Sequence, residues 1–147
     1  MKRAVLIAGA ALLALPAGSA WVGSGQAAAA QQAFDVAMTA AEEVPTPGPA
    51  GATGAVQITV DPTGGKLCYS GFSYDGPGTP NAAHIHKGPK GTPGPVTVDI
   101  AQMLDGKDGC VSGEAATLQA IIDDPAGHYV NIHTPEHKPG AVRGQVG

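Results

Sequence analysis

From Phe34 onward, apolar and polar positions alternate in short runs divided by glycine- and proline-rich turns. Phe34, Val36 and Met38 alternate with Ala33, Asp35 and Ala37, the period-two pattern of a half-buried strand. Val56, Ile58 and Val60 repeat it against Gln57 and Thr59. Asp61-Pro62-Thr63-Gly64-Gly65 then supplies turn chemistry for a hairpin into a strand over residues 66–74. There, Cys68, Ser70, Phe72 and Tyr74 oppose Leu67, Tyr69 and Gly71. Residues 82–88, 96–100, 128–134 and 141–146 read as further strands, and Cys110 and Val111 as a short one. Helical spacing occurs only over residues 112–124, where Leu118, Ile121 and Ile122 fall at i, i+3 and i+4. Ser112 is the candidate N-cap, Glu114 lies in the first turn, and Pro125 and Gly127 end the segment. The pattern predicts an all-β fold, an antiparallel β-sandwich of about seven or eight short strands with one short helix.

Upstream of this alternation the pattern changes. Lys2 and Arg3 precede an uncharged apolar run over residues 4–15, and small residues follow up to Ala28-Ala29-Ala30. That order predicts a secretory signal peptide over residues 1–30, with Gln31 as the new amino terminus. A site after Ala20 is the alternative. The run is shorter than the roughly 20 residues of a spanning helix, so removal is expected over anchoring. The mature chain, residues 31–147, is then a single domain without a transmembrane segment, exported to the extracellular space or cell envelope.

Losing Lys2 and Arg3 takes the formal charge from −4 to −6. Such a chain lacks the basic face that nucleic acid requires. The 22 glycines and 13 prolines would suit low-complexity sequence, but the alternation between the turns argues for a loop-rich β domain instead. Residues 88–96 contain collagen-like triplets, too few for a triple helix, and read as a loop. Cys68 and Cys110 are the two cysteines. Export permits a disulfide between them, with two separate buried thiols as the alternative.

The candidate chemistry lies in two of the strands. Alternation puts His84 and His86 on one face and Ala83 and Ile85 on the other. In the later strand, Tyr129, Asn131 and His133 share a face opposite Val130 and Ile132. If the two strands pair, His84, His86 and His133 converge, and three imidazoles suit a transition metal such as copper. Asn131 is the expected outer partner of His133. The other use is hydrogen bonding that pins loops. His128 shares the core side of its strand and reads as structural, and His137 lies in a turn. Arg143, on the face of the last strand it shares with Gln145, suits an anion or a carboxylate partner. Glu42 and Glu43 are adjacent, so their side chains diverge and make a poor acid–base couple. Neither a G-x-S-x-G nucleophile motif nor a phosphate-binding loop is present.

Several separated motifs together carry a resemblance. Glu43-Val44-Pro45 follows the first strand, and Gly54-Ala55 opens the second. Ala83-His84-Ile85-His86 runs on through a glycine-rich stretch to Gly94-Pro95-Val96. Tyr129-Val130-Asn131-Ile132-His133-Thr134 and Gly140-Ala141-Val142-Arg143-Gly144-Gln145 complete the set. In this order they resemble the CHRD domain, found in chordin and in exported bacterial proteins. The resemblance implies an exported binding or structural module without enzymatic activity, with an extracellular protein as the expected partner class. A weaker similarity is to the copper/zinc superoxide dismutases, in which an H-x-H strand and a late histidine bind copper and an arginine guides the anion. His84, His86, His133 and Arg143 fall in that order, while the zinc loop and the bridging histidine are missing. That similarity implies a copper-only site.

Overall fold

The computed structural model describes residues 30–147. Apart from Ala30, the expected leader lies outside the described residues. The strands are β1 (Gln32–Thr39), β2 (Thr53–Asp61), β3 (Lys66–Asp75), β4 (Ala82–Lys87), β5 (Val96–Asp99), β6 (Gly109–Ser112), β7 (His128–His133) and β8 (Val142–Gln145). One helix, α1 (Ala115–Asp123), joins β6 to β7. The strands pair antiparallel in the order β5-β4-β7-β8-β1-β2-β3-β6. The expected all-β fold is therefore present, with its layers drawn from one sheet. The halves β5-β4-β7-β8 and β1-β2-β3-β6 meet at a narrow β8–β1 junction, where Thr39 pairs with Arg143. Val36, Ile58 and Leu67 from one half share a core with Ile85, Val130 and Ile132 from the other. A 3-10 turn over Ala101–Asp105 touches both β3 and β4 and buries Met103, so the sheet is nearly closed.

Two bulges change the side of the sheet on which residues fall. Leu67 and Tyr69 are buried, as alternation predicts, but past Gly71 it is Phe72 and Tyr74 that pack against the core. Gly71 has φ +62°, and the β2–β3 ladder shifts between Ala55 and Gln57. The extra residue reverses the parity of everything after it. A second shift, between Ile85 and His86, leaves Val96 51% exposed while Val98 and Ile100 are buried.

Helix α1 starts later than its sequence suggests. Ser112 belongs to β6, where it pairs with Lys66, and Glu114 caps the helix without a side-chain hydrogen bond. Leu118 and Ile121 are buried, as their spacing requires. Cys68 and Cys110 stand opposite each other on β3 and β6 and form a disulfide, with Cα atoms 3.9 Å apart. Among the described residues, no helix is long and apolar enough to cross a membrane.

Candidate metal centre

β7 is a central strand, hydrogen-bonded to β4 on one side and β8 on the other. His84 faces Asn131 and His86 faces Tyr129 in the β4–β7 register, so His84 and His133 are diagonal neighbours. Direct pairing thus brings the three expected histidines together. Ring centroids are 5.0 Å apart for His84–His133, 5.6 Å for His84–His86 and 6.3 Å for His86–His133. One ring nitrogen from each lies within 4.8 Å of the others. Metal–nitrogen bonds of about 2 Å at a tetrahedral angle set ligand nitrogens about 3.3 Å apart. His84 Nδ1 and His133 Nε2 already stand at 3.1 Å.

Backbone carbonyls fix two of the rings. His133 Nδ1 donates to the Lys138 carbonyl at 2.8 Å, and His86 Nδ1 to the Gly94 carbonyl at 2.8 Å. Each bond leaves the Nε2 lone pair facing the cluster. His133 Nε2 then accepts a hydrogen bond from His84 Nδ1, whose hydrogen occupies a place that a metal would take. His86 Nε2 is buried with no hydrogen-bond partner. A polar atom left that way carries a desolvation cost of about 1–3 kcal/mol, which a coordinated ion would relieve. The chain's own donors therefore fit a metal. Asn131 does not play the outer role expected for it: the Lys138 carbonyl takes the His133 Nδ1–H, and Asn131 Oδ1 is left buried without a hydrogen-bond partner while its Nδ2 donates to Glu43 Oε1.

The same surroundings favour the neutral form of His86 and His133. Burial pushes the His86 pKa below the ordinary imidazole value. The charges of His84 and Arg143 add to that shift, and the Gly94 carbonyl opposes it. Burial likewise lowers His133, with His84 and His86 adding to the effect. Only neutral imidazole can ligate.

Arg143 is 1% exposed and holds the loop over residues 88–95 from beneath. Its guanidinium donates to the Thr92 carbonyl at 3.0 Å, to the Pro89 carbonyl at 2.8 Å and to Gln145 Oε1. It also lies 3.5 Å from the centroid of the Tyr129 ring, a cation–π contact. His86 stacks on the same ring at 4.8 Å, with 6° between the planes. Tyr129 Oη accepts from the Gly94 N–H at 3.1 Å, so Gly94 is gripped at both its N–H and its carbonyl. A Cβ at Gly94 would collide with the Lys87 carbonyl. Arg143 thus gives its hydrogen bonds to two carbonyls and Gln145, and its charge still reaches His86.

Sequence reasoning set Glu43 aside as half of a poor acid–base couple and missed its burial, which leaves it 3% exposed. It touches Asn131 and feels the charge of Arg143, yet burial raises its pKa from 4.5 to about 7. It lies outside any periodic run, so hydrophobic patterning gives it no inward face. Tyr129 was readable as sharing the histidine face. Its grip on Gly94 depends on a loop fold that spacing does not encode. His128 is buried as expected, its Nδ1 donating to the Asp124 carbonyl at 2.8 Å.

No curated protein and no solved structure matches the chain. A family model described as the CHRD domain matches residues 34–146, from within β1 to just past β8, taking in the histidine strands, Arg143 and the disulfide. By that match the chain belongs to the CHRD domain family.

Proposed function

We propose that this CHRD domain is an exported binding module whose ligand is a transition-metal ion, held by His84, His86 and His133. One observation carries the reading: three imidazole nitrogens lie within 4.8 Å of one another on paired strands. The fixed tautomers of His86 and His133 support it. Among divalent ions, copper is favoured by its intrinsic affinity for nitrogen donors. The family supports a non-enzymatic binding role, and Arg143, buried and hydrogen-bonded to two carbonyls and Gln145, gives no support to a dismutase.

Calorimetric titration of the mature, untagged protein with Cu(II) tests the reading. One equivalent should bind. His84→Ala, His86→Ala and His133→Ala should each lose at least about tenfold in affinity, since even outer-shell losses cost that much. Binding should weaken as pH falls below about 6.5, where protons compete for free imidazole. The lowered pKa values of His86 and His133 extend binding below that point. Equal affinity in the wild type and all three variants would remove the metal.

A further inference from the structure

A pocket of about 390 Å³ opens beside the histidines. His84 and His133 form part of its wall, and Asn81, Thr134 and Lys138 complete its polar lining. His86 is not among the lining residues, and its Nε2 is enclosed on the protein side. An ion held by the three imidazoles would sit with its protein ligands behind it and this space in front.

Two features bear on what the space would admit. Among the described residues, the group that could hold an ion contains three side chains and no carboxylate or thiolate. Asp99 stands opposite His84 in the β4–β5 register, but its Oδ1 already accepts from the Ala101 N–H at 2.9 Å. Three protein ligands are the usual complement of a centre that keeps a position for an outside ligand.

The second feature is charge. Neutral imidazoles cancel none of the charge of a bound dication. The nearby buried Arg143 is positive, and the charged residue in the pocket wall is Lys138. Asp99 and Glu43 lie near, but neither belongs to the group that could hold the ion, so among the described residues a dication here would have no anionic protein ligand.

We propose that the loaded centre keeps an open coordination position, that this position faces the pocket, and that it takes a small exogenous anion. The proposal rests on the three-histidine reading above. It makes the centre one that exchanges an outside ligand, as opposed to a closed structural site.

The experiment uses the mature protein with Cu(II), and sodium azide as the probe. Copper content is measured first, and azide is then titrated while the visible and electron paramagnetic resonance spectra are followed. The expected result is saturable growth of an azide-to-copper charge-transfer band on protein carrying one copper. Asn81→Trp, which narrows the pocket without altering a ligand, should lose most of that response at equal copper content. One bound copper with spectra indifferent to azide would overturn the open position and leave the metal reading standing. A full azide response in Asn81→Trp would show that the position faces elsewhere, overturning its placement. Failure to bind copper at all would remove both readings together.

Discussion

Replacing both cysteines, as Cys68→Ser with Cys110→Ser, should lower the unfolding free energy by about 2–5 kcal/mol. The bridge spans a sequence separation of 42 residues, for which the loop-closure model gives roughly 4 kcal/mol. The enclosed segment holds β4 and β5, strands of the opposite half of the sheet, and the turn over Ala101–Asp105 that bridges the two halves. Joining β3 to β6 therefore restrains in the unfolded chain a stretch that must cross the core. β6 itself is only four residues long and pairs with β3 alone, so it gains little from its own ladder. Urea unfolding of the double variant against the wild type measures the loss. A difference under about 1 kcal/mol would mean that the unfolded chain gains no freedom from the change. Thiol titration of the denatured, unreduced wild type should find no free sulfhydryl.

The second large effect concerns Glu43. In the fold this carboxyl keeps its proton up to about pH 7, while the unfolded chain releases it near 4.5. Between those values the folded state binds more protons than the unfolded state, so this group makes stability fall as pH rises. Its contribution is fully present below 4.5 and gone above about 7. At about 1.4 kcal/mol per tenfold change in proton affinity, the whole effect is roughly 3 kcal/mol. His86 and His133 act in the opposite sense. Their lowered pKa values make the unfolded state bind more protons below about 6.5, so their contribution is lost on acidification. The two trends overlap in the wild type and must be separated by mutation. Glu43→Gln keeps the size of the side chain and cannot ionise. Between pH 5 and pH 8 the variant should gain about 2–3 kcal/mol relative to the wild type, read from urea midpoints. Parallel stability curves would show that Glu43 carries no such burden.

Local period and turn chemistry made the strands legible. Asp61 to Gly65 closes the β2–β3 hairpin as its composition predicts, and His84 and His86 share a face because Ala83 and Ile85 are buried opposite them. Residues set by long-range pairing were harder to read. Gly71 reverses the parity of β3, and a lone glycine within an alternating run does not announce which way the chain bends. From the sequence alone, the convergence of His133 on His84 and His86 is conditional on the two strands pairing. The β4–β7 pairing supplies it, and the carbonyls of Gly94 and Lys138 add what no side-chain pattern carries. Burial of Tyr129 and Asn131 on the polar face of β7 follows from neighbours on both sides, which alternation cannot anticipate.

The incomplete closure of the sheet bears on polymerisation. Its free borders are β5 and β6, each four residues long. An exposed border of a sheet is a template for a foreign strand, and its capacity to recruit one grows with its length. On β5, Pro95 stands immediately before the strand and has no N–H to offer. On β6, the disulfide ties the border strand to its neighbour, so a longer incoming segment cannot peel it away and take its place. A fibril seed would find two short ledges here instead of a continuous rail, although the sheet is never sealed.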